Sequence, residues 1–238
     1  MVPPRATSWF SRGAAVLVLL LTLLLPQPAG RAGDFDVDLA LVLAIDCSFS
    51  VDSNEFALQM QGLGEAFLRS DVKKAIRAGA RQRIAVAAFQ WSDPDNQMVV
   101  LPWTIIAGDA DANEMGHRLA VTPRRLAEGG TALGNGLLFA QALLATAPSA
   151  ERRVIDVSSD GRNNAGPPVS RARDRIVAAG ITINALTILN EWPTLDIYFE
   201  NQVVGGEGHF VIPANDYEAY GEAIYRKLLK EITGPGIS

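Results

Sequence analysis

Residues 37–50 read VDLALVLAIDCSFS, an almost unbroken apolar run that ends in a carboxylate and two hydroxyls. A short apolar run bounded by polar residues is typical of a strand buried in a parallel sheet. The strand is predicted over about residues 38–45, so that Asp46, Ser48 and Ser50 follow it on a tight turn. Hard cations prefer oxygen ligands, and open α/β sheets bind ligands at the carboxyl ends of their strands. The turn therefore indicates a candidate Mg²⁺ site.

A helix cap is the alternative interpretation of the same turn. Ser and Asp are common wherever a strand gives way to a helix, because their side chains accept hydrogen bonds from the free N–H groups at the helix start. The turn alone leaves both interpretations open. Further oxygen ligands at corresponding places along the chain would favour a metal site.

The composition is that of a globular protein with a good core. The chain has 238 residues, of which 48% are apolar and 20% charged, and this fits one full-size domain plus short extras. The net charge is −5, and no cluster of Lys and Arg supplies the electrostatic footprint of a nucleic-acid-binding protein, so nucleic acid is not predicted as a partner. Cys47 is the only cysteine, which excludes an internal disulfide, and we expect it to be a small buried side chain.

The amino terminus has the layout of a secretory signal peptide, predicted over residues 1–32. Arg5 and Arg12 give it a basic start. Residues 14–25 form an uncharged apolar stretch, and residues 26–32 supply small residues and helix breakers. The apolar stretch is shorter than the roughly 20 residues that a membrane-spanning helix needs. The sequence therefore predicts an exported protein, periplasmic or secreted.

The predicted signal sets the boundaries of the rest of the chain. Cleavage is expected near Ala29 or Ala32. An uncleaved anchor is the alternative, and it would then be the means by which the protein associates with a membrane. One domain is predicted over residues 36–232, followed by a short tail at residues 233–238.

Strands alternate with helices along this domain. After the first strand, strands are predicted at about residues 83–91, 98–103, 153–159, 181–188 and 209–213. Helices are predicted at about residues 52–70, 111–120, 133–147, 169–179, 194–203 and 217–232. This alternation predicts a doubly wound α/β fold, in which a mostly parallel central sheet has helices on both faces. Pro102 and the turn cluster before its strand favour a hairpin with one short antiparallel edge strand.

Two further loops place oxygen ligands at comparable positions. Thr131 follows a Gly-Gly pair, where backbone can approach another group closely, and Asp160 ends the strand predicted at 153–159. Taken alone, Thr131 is also compatible with a simple helix cap. The carboxyl ends of adjacent central strands meet where the strand order of a doubly wound sheet reverses, so the three loops can converge there. That convergence favours metal binding over capping.

The three motifs together resemble the metal-ion-dependent adhesion site of the von Willebrand factor type A domain family. They are the D-x-S-x-S turn at residues 46–50, the G-G-T loop that ends at Thr131, and the strand-ending pair Asp160-Gly161. Their order and spacing also fit, and the resemblance covers about residues 36–232. Within the family, the chain is most similar to a group of bacterial exported proteins of unknown function.

The resemblance implies a role for each of the five residues. Ser48 and Ser50 would bind the metal directly, and Thr131 would bind it directly in one state and through water in another. Asp46 and Asp160 would act largely through waters or as hydrogen-bond acceptors. Mg²⁺ is the expected cation, with Mn²⁺ or Ca²⁺ also compatible. Two carboxylates roughly neutralise the ion, while the neutral hydroxyls leave it electrophilic enough to accept an acidic side chain from a partner.

The leading hypothesis is an exported binding module that docks an exposed Asp or Glu of an unidentified partner protein on a divalent cation. The chain is not expected to be an enzyme, because no Lys lies near Asp46, Thr131 or Asp160 and no His accompanies a nucleophile in their loops. There is no nucleophile elbow either. A metal-dependent hydrolase or phosphotransferase, and a structural domain with an unoccupied site, are the alternatives. The oligomeric state is not predicted.

Overall fold

The computed structural model describes residues 1–2 and 36–234. The predicted signal peptide, apart from its first two residues, and residues 235–238 lie outside the described residues. Within residues 36–234 the chain forms a six-stranded sheet covered by helices on both faces. No helix in the described part combines the length and apolarity needed to cross a membrane.

The sheet is mostly parallel, as predicted. Its strands are β1 (Val37–Asp46), β2 (Ile84–Trp91), β3 (Gln97–Ile106), β4 (Ala150–Ser159), β5 (Thr182–Ile188) and β6 (Val211–Ala214). They lie in the order β3-β2-β1-β4-β5-β6, and every neighbouring pair is parallel except β2 with β3. The predicted hairpin and antiparallel edge strand are confirmed, although β3 is longer than the short strand expected.

β1 lies at the centre of the sheet, between β2 and β4. Its side chains point alternately to the two faces, and each face has its own apolar core. One core receives Leu39, Leu41, Leu43 and Ile45, and the other receives Ala40, Val42 and Ala44. Because both faces are covered, the strand is apolar throughout rather than alternating.

Seven helices are described. They are α1 (Ser53–Leu68), α2 (Ser70–Ala78), α3 (Asp109–Ala120), α4 (Leu133–Leu144), α5 (Val169–Ala178), α6 (Leu195–Gln202) and α7 (Tyr220–Thr233). A capping box starts α1, because Asp52 accepts hydrogen bonds from the backbone of Asn54 and Glu55 while Glu55 accepts one from the backbone of Asp52. Helices α1, α2, α3 and α7 cover one sheet face, and α4, α5 and α6 cover the other.

The prediction of one helix over residues 52–70 is wrong at its carboxyl end. Arg69 has an extended backbone (φ −64°, ψ 136°), which ends α1 at Leu68 and lets α2 start in a new direction. α2 buries only Val72 and Ile76. With nine residues, α2 is shorter than the window of about 11–18 residues over which helical periodicity is assessed, so sequence analysis did not detect it.

The face of α7 that packs on the sheet is partly polar. Tyr220, Ile224 and Leu228 are buried at helical spacing, but Lys227 and Glu231 are buried beside them. Such a face was not expected, because charged residues on a helix are almost always solvated.

These buried charges form one group with side chains from β4 and β5. The Lys227 ammonium lies 2.6 Å from Asp156 Oδ1 and 2.7 Å from Glu231 Oε1, and Asn184 donates a hydrogen bond to Glu231 Oε1 at 3.0 Å. We call Lys227, Asp156, Glu231 and Asn184 the buried lysine cluster. Burial raises the pKa of Glu231 to about 8, and the Asp156 carboxylate is the second cause.

Candidate metal centre

The turn after β1 brings a carboxylate and two hydroxyls together. Asp46, the last residue of β1, is completely buried, and its Oδ1 accepts a hydrogen bond from the Ser48 backbone at 2.7 Å. The hydroxyl oxygens of Ser48 and Ser50 lie 3.2 Å apart. The helix-cap interpretation of this turn is wrong, since Asp52 fills that role for α1.

The residues at the end of β4 complete a second side of the centre. Asp160 is completely buried, and its Oδ1 accepts a hydrogen bond from the Ser50 hydroxyl at 2.6 Å. Its Oδ2 accepts one from the Tyr217 hydroxyl at 3.0 Å. The Ser159 hydroxyl donates to Asp46 Oδ2, which ties the ends of β1 and β4 together. β1 and β4 are the two strands between which the strand order reverses, so the carboxylates meet where the sequence predicted.

The loop that ends at Thr131 contacts the turn after β1 through a backbone hydrogen bond. The carbonyl of Gly129 accepts a hydrogen bond from the backbone of Phe49 at 2.8 Å, which fixes the Gly-Gly-Thr loop against the turn after β1. A Cβ placed on Gly161 would lie 3.2 Å from Thr131 Oγ1, so Thr131 lies directly beside the loop after β4. The alternative that Thr131 caps α4 is wrong, because α4 begins at Leu133 and Thr131 lies before its cap residue.

Several residues that hold this centre were not found by sequence analysis. Asp93 Oδ1 accepts a hydrogen bond from the Gly130 backbone at 2.6 Å, and Asn164 Oδ1 accepts one from the Thr131 backbone at 2.7 Å. Asp93 follows β2 just as Asp160 follows β4, so the same strand-end signal could have identified it. Sequence analysis assigned it instead to the turn cluster at residues 93–96, before the strand predicted at 98–103. Tyr217, by contrast, gave no local signal.

Arg124 holds the turn after β1 from a distant part of the sequence. It lies between α3 and α4 and donates to the carbonyl of Val51 at 2.6 Å through Nη1. Its Nη2 donates to the carbonyls of Cys47 at 2.7 Å and Ser48 at 3.2 Å. One guanidinium therefore fixes three peptide units of the turn, at a sequence distance of more than 70 residues.

The two carboxylates lie close together in a dry environment. Burial raises the pKa of Asp46 to about 7, and the neighbouring Asp160 carboxylate raises it further. Burial also raises the pKa of Asp160. No basic side chain forms an ion pair with either of them in the part of the chain that the structure describes. Two buried acids without a cation are costly, and a divalent ion would remove that cost.

The donor atoms of the centre fit a hard cation. They are carboxylate and hydroxyl oxygens, which Mg²⁺, Mn²⁺ and Ca²⁺ prefer. Cys47 is completely buried in the apolar core, and burial raises the pKa of its thiol to about 12, so it is no thiolate ligand. Within the described residues no three or more His, Cys, Asp or Glu side chains gather as a metal-binding group. A cation held here would therefore take much of its coordination from neutral hydroxyls.

The structure is similar to solved von Willebrand factor type A domains. The von Willebrand factor type A protein from Catenulispora acidiphila aligns with a TM-score of 0.57 and 20% identity, over 82% of this chain and 43% of that chain. Proximal thread matrix protein 1 from the mussel byssus, solved with a zinc-occupied MIDAS motif, aligns with a TM-score of 0.61 and 16% identity, over 84% and 49%. The vWF domain of the type V pili tip protein Mfa5 from Porphyromonas gingivalis aligns with a TM-score of 0.56 and 13% identity, over 85% and 99%.

At these identities the likeness establishes the fold, which is that of a von Willebrand factor type A domain. A family model matches residues 36–236, and the chain belongs to that family, described as "Protein of unknown function (DUF1194)". The chain spans about half the length of the mussel structure and less than half of the Catenulispora one. No curated protein matches the chain. The resemblance predicted from the three motifs is confirmed, whereas the roles of the five site residues stay predictions.

Proposed function

We propose that the protein is a metal-dependent binding module that docks an acidic side chain of a partner protein on a divalent cation. The observation that supports this most is the pair of buried carboxylates, Asp46 and Asp160, which have no basic partner in the described residues and lie among hydroxyls. Such a donor set is preorganised for a cation, because the hydrogen bonds that hold it are already formed.

Each of the five predicted residues has a definite part in this proposal. Ser48, Ser50 and Thr131 would hold the cation through hydroxyl oxygens, and Asp46 and Asp160 would balance its charge. Mg²⁺ is the proposed ion, with Mn²⁺ or Ca²⁺ as substitutes. When bound, the cation supplies an electrophilic position for a carboxylate from outside the chain.

The comparisons support the adhesion type of function. The names of the similar structures include a byssus matrix protein with a zinc-occupied MIDAS motif and a pilus tip protein. Those names also support export of this chain, which we propose on the basis of the signal peptide over residues 1–32. No observation in the described residues favours a hydrolase or phosphotransferase: both histidines, His117 and His209, are exposed and outside the three loops.

Thermal unfolding with and without Mg²⁺ tests the proposed cation site. A cation that binds only the folded protein stabilises it by about 2.7 kcal/mol when its free concentration is about 100 times its dissociation constant. We expect Mg²⁺ to raise the Tm of the wild-type protein measured in EDTA, and Ser50→Ala to reduce that rise. Asp46→Asn should abolish the rise and increase the Tm in EDTA, because it removes one of two repelling buried charges.

Asp95→Asn is the matched control, since it removes the same charge from an exposed turn near the centre. It should leave both Tm values close to those of the wild type. A wild-type Tm that is the same in EDTA and in saturating Mg²⁺, Mn²⁺ or Ca²⁺ would refute the proposed site. For the partner, crosslinking in the exported compartment followed by mass spectrometry should recover a protein that EDTA and Asp46→Asn both release.

A further inference from the structure

Arg162 is held beside the candidate metal centre by aromatic rings. It lies two residues after Asp160, and its guanidinium carbon is 5.0 Å from the centre of the Trp192 ring and 5.5 Å from that of Tyr198. Its Nη2 donates a hydrogen bond to Thr194 Oγ1 at 2.9 Å. A planar guanidinium stacks favourably on aromatic faces, so these contacts fix its position over the segment after β5.

Arg162 has no carboxylate partner within residues 36–234. The ion pairs found there join other groups, and Glu191, next to Trp192 in the chain, forms none with Arg162. A guanidinium has five N–H donors, of which the bond to Thr194 uses one. Nε is buried and makes no hydrogen bond. The side chain is thus held in a fixed position while most of its N–H donors make no hydrogen bond within the described residues, which suits it to bind an acceptor group of another molecule.

This arginine borders the same surface as the predicted cation. Gly161, which separates it from Asp160, lies beside Thr131. The segment after β5 is also tied to the start of α1, because Asn190 donates a hydrogen bond to Glu55 Oε1 at 3.1 Å. Two aromatic side chains of this surface are open to solvent. Phe49, in the turn after β1, is 76% exposed, and Trp192 is 45% exposed.

We propose that Arg162 and Trp192 form a second subsite, which takes a second carboxylate from the same acidic segment of the partner protein. The inference rests on the proposed function, because the first carboxylate of that segment binds the cation. The partner is therefore a protein segment with two acidic residues rather than one.

Charge complementarity selects this occupant. A bound divalent cation and an unpaired guanidinium place two positive groups on one face of a chain whose net charge is −5. Guanidinium and carboxylate match in geometry and form two parallel hydrogen bonds, which a lysine cannot reproduce. Trp, Tyr and Arg are also the residues most often found to dominate binding at protein interfaces. The exposed Trp192 face would contact the apolar part of the segment between its two acids.

Synthetic peptides test the subsite directly. One peptide contains a single Asp in a Gly-Ser background, and the others add a second Asp one to four residues later. Binding to the wild-type protein is measured by titration calorimetry in MgCl₂ and in EDTA. We expect one spacing to bind about fivefold more tightly than the single-acid peptide in MgCl₂, which is the upper end of what one solvent-exposed ion pair contributes. Tryptophan emission should change with that peptide, and Trp192→Phe should remove the change.

Substitutions at Arg162 decide what the gain depends on. Arg162→Gln should abolish the fivefold gain and leave the affinity for the single-acid peptide unchanged, and Arg162→Lys should recover only part of it. Arg171→Gln, which removes an exposed arginine from α5, should preserve both affinities and so control for net charge. Melting temperatures close to that of the wild type would show that each variant is folded.

The outcomes separate this inference from the proposed function. A single-acid peptide that binds only in MgCl₂, with no gain at any spacing or with a gain that survives Arg162→Gln, would overturn the subsite and support the cation site. Failure of every acidic peptide to bind in MgCl₂ would contradict both. If vesicles containing an anionic phospholipid bound through Arg162 while the two-acid peptides did not, the assignment to a protein carboxylate would be wrong.

Discussion

At the scale of single residues, Arg124 shows how the turn after β1 is kept rigid by a residue that is not itself a proposed metal ligand. Its three hydrogen bonds to the carbonyls of Val51, Cys47 and Ser48 hold the backbone of the turn in place. A hydroxyl ligand binds a cation well only if its backbone is fixed in advance. Arg124 is therefore a positioning residue for the proposed site.

Arg124→Met should weaken cation binding about tenfold or more, which is the usual range for residues that orient metal ligands. The methionine keeps the apolar stem but cannot donate to the three carbonyls. The measurement is a titration with Mg²⁺ that follows the Tm, compared with Arg125→Met, which removes an exposed arginine next to it. Equal cation affinity in the two variants would show that the hydrogen bonds of Arg124 are not needed for cation binding.

Local sequence patterns were sufficient to name the five candidate residues, whose roles as ligands stay predictions. Ser48 and Ser50 follow Asp46 within one turn, and Asp160 ends a strand, so short-range spacing was sufficient. Arg124 and Tyr217 reach the same place from segments that show no motif. Their positions depend on the packing of loops far apart in the chain, which spacing along one sequence does not encode.

At the scale of secondary-structure elements, α7 combines an apolar face with the buried lysine cluster. A helix was predicted here, and its buried charges were not, because the partners Asp156 and Asn184 belong to β4 and β5. A buried pair of charges is tolerated only when its members neutralise one another. With one ammonium and two carboxyl groups, the cluster is neutral if Glu231 keeps its proton.

The folding stability should therefore decrease as the pH rises through the range in which Glu231 loses its proton. The pKa of Glu231 is about 8 in the folded protein, above its ordinary value of 4.5. The folded state thus holds the proton more tightly than the unfolded state. Its contribution to stability is complete below pH 4.5 and is lost as the pH rises through about 8.

Glu231→Gln replaces the ionisable carboxyl group by an amide, so the folding stability should depend less on pH. Urea unfolding at several pH values between about 5 and about 9 measures it, with Glu222→Gln, an exposed acid on the same helix, as the control. Asp46 also titrates in this pH range, but it does so in the wild type and in both variants. The difference in pH dependence between these proteins therefore reports Glu231 alone. Identical slopes for the wild type and Glu231→Gln would mean that Glu231 is ionised throughout and paired with Lys227.

At the scale of the whole molecule, the doubly wound fold and the order of its elements followed from the alternation of strands and helices. The bounds of most elements agree with prediction to within a few residues. α2 was missed because it is short, and the exact extent of β3 depended on its pairing with β2. The alternation of strands and helices could not predict the contacts between loops that are far apart in the sequence, such as those of residues 124–131 with the turn after β1.

Export should be visible in the mass of the mature chain. We expect protein recovered from the periplasm or medium of a bacterial host to begin at Gly30 or Gly33, after cleavage at Ala29 or Ala32. Intact mass spectrometry measures this, and Leu20→Arg, which interrupts the apolar stretch, should leave the precursor uncleaved. A chain that begins at Met1 in the membrane fraction would instead support the uncleaved anchor.

The central place of β1 has a consequence for how the chain is made. A protein threaded through a membrane channel emerges amino end first, so β1 emerges before either of its neighbouring strands. Val37 pairs with Ala150 of β4, so this pairing forms only after more than 100 further residues have emerged. An apolar strand whose two edges are unpaired is prone to aggregate, and pairing between strands that are far apart in the sequence is slow. Under the proposed export, this topology favours a chain that stays unfolded while it crosses the membrane and that needs a chaperone to hold it afterwards.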